Sequence, residues 1–140
     1  MTQTARKIFD DTATTAVSGG DYRDAMSRIA GAVHIVASDG PGGSGGATMT
    51  AVTSVTDAPP TVLICLNRTG RFNAIVRANG VFSVNTLVAG DETLAGIFAG
   101  VGGVDHHDRF AHGVWLAGET GAPLLDGARA VLDCRVVEVS

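Results

Sequence analysis

Three apolar runs follow one another with almost nothing between them. AVHIVASD (32–39), ATMTAVTSVT (47–56) and TVLICLN (61–67) are separated only by GPGGSGG and DAPP. The runs have strand length, carry β-branched residues and are bounded by Gly, Pro or Asp. A parallel pair of strands needs a crossover of about a dozen residues or more, usually a helix. Neither connector can supply one, whereas both suit a hairpin turn. The spacing therefore predicts antiparallel neighbours and speaks against a doubly wound parallel sheet.

The remaining elements fit around that core. A helix is expected over DYRDAMSRIA (21–30), capped by Asp21, with Tyr22, Met26 and Ile29 on one face and Gly31 at its end. Thr69 is placed to cap a second helix over GRFNAIVRA (70–78), stopped by Asn79-Gly80. VFSVNTL (81–87) reads as a strand, and Asp91 opens a short helix over ETLAGIFAG (92–100). Residues 100–113 are irregular and polar. VWLAG (114–118) and ARAVLDCRVVEV (128–139) read as strands on either side of the turn-rich ETGAPLLDG. TVLICLN is almost continuously apolar and is expected to be buried on both faces. Residues 1–20 lack a sustained period. They read as a flexible N-terminal arm with a short helical turn near Ile8, ahead of one domain over 21–140. The expected fold class is mostly β: an antiparallel barrel with a few covering helices.

Composition narrows the function classes. Hydrophobic residues make up 45% of the 140 but aromatics only 5%, so one core built of Val, Leu, Ile and Ala is expected. A net charge of −4 offers no basic footprint for nucleic acid. No apolar run approaches the ~18 residues of a membrane span, and no signal peptide is evident. The expectation is a soluble cytoplasmic protein without a membrane partner. Cys65 and Cys134 form no metal pattern and read as buried small hydrophobes in a reducing compartment.

Four stretches could carry chemistry. GPGGSGG lacks the Gly-Lys-Ser/Thr of a phosphate loop and opens no helix. It reads as a loose hairpin turn, or as a place where a ligand approaches the backbone closely. ATMTAVTSVT puts Thr48, Thr50, Ser54 and Thr56 on one side of a strand, which suits either an exposed face or a platform for a flat ring. In LNRTGRF, Asn67 and Arg68 end a strand where Thr69 opens a helix. A helix N-terminus flanked by Arg68 and Arg71 suits a phosphate, while the plainer reading is a capped helix with two solvated arginines. DHHDRF (105–110) is a poor metal site and reads as a surface loop tethered by Phe110. His34, alternating with Val33 and Ile35, reads as structural. No G-x-S-x-G elbow is present.

Taken in order, AMSRIAGAVHIVAS, GATMTAVTSVTDAPPTVLICLNRTGRFNAI, GVFSVNTLVAGDETLAGIFAG, DRF and GAPLLDGARAVLDCRV resemble the flavin reductase domain family. The resemblance runs from about residue 21 to 140. It implies the FMN-binding split barrel, an antiparallel and Greek-key-like β-barrel. It implies an NAD(P)H:flavin oxidoreductase that passes reduced FMN or FAD by diffusion to a partner monooxygenase, and a homodimer with the flavin near its interface. A flavin-binding split-barrel protein without turnover is the alternative. The resemblance also assigns roles. Thr48, Met49, Thr50 and Ala51 would line the isoalloxazine edge, mainly through backbone groups, and Ser54 would meet the ribityl or phosphate part. Asn67, Arg68, Thr69 and Phe72 would hold the phosphate end. Asn85 and Phe98 lie in matching segments. Arg109 and Phe110 would line the flavin or nicotinamide side. Hydride transfer needs stacking and distance, so no nucleophile is expected. Members of the family continue past CRVVEVS to a Gly-Asp-His or Gly-Thr-His element associated with nicotinamide binding. The expectation is that this element and the closing strands lie outside the 140 residues.

Overall fold

The computed structural model describes residues 16–140. They fall into two compact units, one ending at Gly31 and the other spanning Ala32–Ser140. The helical turn expected near Ile8 lies outside the described residues.

The first unit holds helix α1 (Gly19–Ser27). Ser18, rather than Asp21, is its cap: the Ser18 hydroxyl accepts the Asp21 amide at 3.1 Å. Asp21 instead sits in the first turn, where a carboxylate favours the positive end of the helix dipole.

In the second unit every strand pair is antiparallel, and the short connectors require this of the pairs that they join. Strand β1 (His34–Ser38) lies between β2 (Gly45–Met49) and β5 (Val81–Thr86). The register runs from His34 opposite Met49 to Ser38 opposite Gly45 on one side. On the other, His34 faces Thr86 and Ala37 faces Ser83. Strand β8 (Ala130–Arg135) extends the sheet beyond β5, with Val81 opposite Arg135 and Thr86 opposite Ala130. Two two-stranded ribbons complete the unit: β3 (Val52–Asp57) with β4 (Pro60–Ile64), and β6 (Trp115–Ala117) with β7 (Pro123–Leu125). Helices α2 (Arg71–Asn79) and α3 (Glu92–Phe98) both contact β1 and β2. The core forms where they meet: Val36 packs with Phe72 and Val76 of α2 and with Phe82 and Val84 of β5.

Several expectations are corrected. First, ATMTAVTSVT is not one strand. β2 ends at Met49, β3 starts at Val52, and the two belong to different sheets. At the corner the Val52 amide donates to the Thr50 carbonyl at 2.8 Å, and the Ala51 carbonyl accepts from the Cys65 amide at 3.1 Å. Thr, Ala and Val suit a strand on either side of such a corner, so composition does not mark it. Second, the TVLICLN strand is not buried on both faces. β4 has a single partner strand, and Leu63 is 50% exposed. Third, Cys65 is exposed, and only Cys134 is partly buried. Burial first, and then the Asp133 carboxylate, push the Cys134 thiol above its usual range. Fourth, β7 lies inside the segment expected to be only turn, and the Asp91 side chain does not cap α3 but accepts from the Val88 amide at 3.0 Å.

The glycine run is a tight β1–β2 connection. Asn79, at the end of α2, accepts the Gly42 amide at 2.6 Å and donates to the Gly43 carbonyl and the Ser38 hydroxyl, both at 2.9 Å. A Cβ at Gly42 would come within 2.7 Å of Ala78, one at Gly45 within 2.7 Å of Ile75, and one at Gly46 within 2.6 Å of the Phe98 ring. At these three positions, bare backbone is what lets α2 and α3 seat on the sheet.

Candidate functional site

The start of α2 is unusual in what it leaves unpaired. Its cap position is Gly70, which has no side chain to offer. Thr69 does not fill that role: its amide and hydroxyl both turn to the Asn67 side-chain oxygen, at 3.2 and 3.1 Å. The Asn67 carbonyl accepts the Gly70 amide at 2.9 Å and the Asn73 side chain at 3.2 Å. Asn67 thus shapes a tight turn that delivers the chain into the helix. The first main-chain amide to reach a helical acceptor is that of Ala74, on Gly70 at 3.4 Å. The amides of Arg71, Phe72 and Asn73 are left without one, at the positive end of the helix. Asn67, Arg68 and Thr69 are all exposed around this opening.

The corner at 50–54 is its neighbour. The Cys65–Ala51 bond continues the β3–β4 ladder, two residues short of Asn67. Thr50, Ala51 and Ser54 are exposed, and their small side chains leave the backbone accessible. Thr48 and Met49 are half-buried. The Thr48 hydroxyl donates to the Ala95 carbonyl at 2.7 Å, which ties α3 to β2, and Met49 packs against the core.

The other residues singled out from the sequence are engaged in packing and internal hydrogen bonds. Phe72 is buried in the core cluster, although its amide belongs to the open helix start. Asn85 is fully buried and already engages three partners: it donates to Ile35 O at 3.0 Å and to the Ser83 hydroxyl at 2.9 Å, and accepts the Leu125 amide at 2.8 Å. Phe98 is buried in an aromatic cluster, with ring centroids 5.3 Å from both Phe110 and Trp115. Arg109 donates to Gly46 O at 2.8 Å, to Phe98 O at 3.2 Å and to Val104 O at 2.9 Å.

The 105–110 loop is more than a surface loop tethered by Phe110. Arg71, read from the sequence either as charge for a phosphate or as a solvated arginine, remains largely exposed and pairs with Asp105. His106 stacks on Phe72, with ring centroids 5.8 Å apart and an interplanar angle of 12°. Its Nδ1 accepts the Gly46 amide at 3.2 Å. These contacts join residues 34 and 60 positions apart, and a polar loop without a period gives no local sign of them. Burial chiefly, helped by the Arg109 and Arg71 charges and opposed by Asp105, holds the His106 pKa below the ordinary histidine value. Asp105 is held below the usual carboxylate range, first by the His106 amide that it accepts and also by Arg71. His34 is lowered by burial, and its Nδ1 lies 3.0 Å from the Thr86 hydroxyl.

Among the described residues no helix is long and apolar enough to cross a membrane.

Comparison with known proteins bears on this arrangement. The model of the flavin reductase like domain matches residues 26–140. The chain is 51% identical over 123 residues to an FMN reductase (NADH) RutF of Ancylobacter novellus, covering 88% of this chain and 67% of the relative. It is 52% identical over 116 residues to the FMN reductase (NADH) RutF of Stutzerimonas stutzeri, covering 83% and 66%. It spans about two thirds of the length of these curated relatives. Among solved structures, the NADH:FAD oxidoreductase SgcE6 of Streptomyces globisporus C-1027 superposes with a TM-score of 0.76 at 31% identity, over 89% of this chain and 75% of that one. The chain belongs to the flavin reductase like domain family.

Proposed function

We propose that the chain is an NAD(P)H-dependent flavin reductase that supplies reduced FMN or FAD to a partner flavin-dependent monooxygenase. The relatives named FMN reductase (NADH) favour FMN and NADH within that reading. The observation that carries it is the uncapped start of α2 beside an exposed corner of small residues. Free amides, the helix dipole and Arg68 suit the flavin phosphate, and Thr69 adds a hydroxyl once it turns from Asn67, its partner in this structure. Thr50, Ala51 and Ser54, with the Thr48 and Met49 backbone, offer a flat ring access to main-chain groups.

The residues present fit the group. When bound, the flavin supplies the hydride acceptor. The chain's own part is to bind and orient, a task that proximity alone makes effective and that needs no nucleophilic side chain. Asn67 sets the turn into α2, while Phe72 contributes its main-chain amide. Asn85, Phe98, Arg109 and Phe110 hold the sheet and α3 in place behind the site. The chain is proposed to act as a homodimer in the cytoplasm. The exposed Val55 and Leu63 of the β3–β4 ribbon support a second copy covering that ribbon.

The test is direct. The purified chain, given FMN and NADH, should oxidise the nicotinamide with the flavin as acceptor, followed by loss of nicotinamide absorbance. Flavin bound without nicotinamide consumption would reject the reductase reading for this chain and leave a flavin-binding protein without turnover.

A further inference from the structure

We infer that His106 is a positioning residue for the phosphate end of the flavin, acting as a clamp that fixes the first turn of α2 against strand β2. The inference rests on the flavin reading above. Its ring touches both elements that frame the site. One face stacks on Phe72, the second residue of α2, whose amide is among those left open. Its Nδ1 accepts from Gly46, in the strand that runs on to Thr48 and Met49. An Arg109 nitrogen also lies 3.3 Å from Nδ1. Two donors converge on Nδ1, so the ring proton belongs on Nε2 and the neutral ring is the form that fits. The adjacent Asp105 adds a second tie, accepting from Arg71 at the first position of the same helix and from the His106 amide at 2.9 Å. The Arg109 contact with the Gly46 carbonyl closes the loop onto β2.

The arrangement compensates for what α2 lacks. A helix start without a side-chain cap is free to fray, and frayed amides cannot converge on an anion. Here the first turn is held from the side, by ring stacking and an ion pair, so the amides themselves stay open. A cap would stabilise the turn but occupy the groups that a phosphate needs.

The experiment compares dissociation constants of FMN and riboflavin on the full chain, read by flavin fluorescence. Riboflavin lacks the phosphate. The wild type should prefer FMN. His106→Ala should weaken FMN by about fivefold, the size of effect that helix-terminus contacts carry, while riboflavin shifts by less than about twofold. His106→Asn places an oxygen where Nδ1 accepts the Gly46 amide and should recover part of the lost preference. Retained riboflavin affinity in each variant reports that the fold is intact. An FMN preference unchanged in His106→Ala, or FMN and riboflavin weakened equally, would overturn the clamp while leaving the flavin reading in place. A wild type that binds both flavins alike would remove the phosphate reading and the clamp with it.

Discussion

The two ends of α2 are built on opposite plans. At the C-terminal end the cap is closed by backbone and side-chain bonds. Gly80 takes the left-handed conformation, its amide returns to Val76 O at 2.8 Å, and its carbonyl accepts from Val136 at 2.9 Å. Asn79 holds the glycine turn with two further bonds and the end of β1, at Ser38, with a third. At the N-terminal end, Gly70 provides no cap, Thr69 faces away, and the stabilising contacts come from the side through Asp105 and His106. A helix whose only task was structural would gain from saturation at both ends. Leaving one end open, next to exposed cationic and hydroxyl side chains, separates the part of the element that carries the fold from the part available to a ligand.

That contrast can be tested by damaging each end in turn. Asn79→Ala should have the largest effect, a stability loss of about 2 kcal/mol from the loss of three side-chain hydrogen bonds, read by chemical denaturation. Flavin affinity should hardly move, and a comparable loss of both would deny the separation of roles. The double variant Arg68→Ala with Thr69→Ala should do the reverse. FMN should weaken by about tenfold, riboflavin much less, and the midpoint of unfolding should stay where it is. Equal losses for the two flavins would take the phosphate away from this end. Gly80→Ala comes next, at about 1 kcal/mol of stability, because a Cβ there meets open space and only the left-handed backbone resists it. The smallest effect is expected of Gly70→Ser. A supplied cap should leave stability within a few tenths of a kcal/mol, its gain offset by the 3.2 Å approach of the new Cβ to the Asn67 carbonyl, and yet weaken FMN, because the hydroxyl takes amides that the phosphate would use. Stronger FMN binding in that variant would mean that the open amides are not the anion site.

Much of the fold could be read from spacing. The short connectors required antiparallel neighbours, and the strands at 34–38 and 81–86, the helix ending at Asn79-Gly80 and the aromatic anchor at Phe110 lie where the patterns put them. What escaped was of one physical kind. The corner at Thr50–Ala51, the single partner of β4 and the short strand β7 all depend on which sheet a segment joins, and a strand's composition does not record that. The site was legible to a similar depth. Asn67, Arg68 and Thr69 do sit at a helix start, but the local S/T-cap logic misplaced the Thr69 hydroxyl, which Asn67 captures instead. The DHHDRF stretch stands out only as a poor metal site, and nothing in it points to the contacts of His106, because its partners lie on α2 and β2 and no periodicity links them to a polar loop.

The exposed thiol of Cys65 offers a practical consequence. Its amide closes on Ala51, so the sulfur lies on the chain between the corner of small residues and the Asn67 turn. Cys134, the other thiol, is partly buried, and burial first and then Asp133 push its pKa up. A thiol-directed label would thus settle first on a single atom beside the proposed flavin site. Its rate of attachment would serve as an internal clock for occupancy, slowing as the site fills, and would need neither a mutation nor turnover to be read.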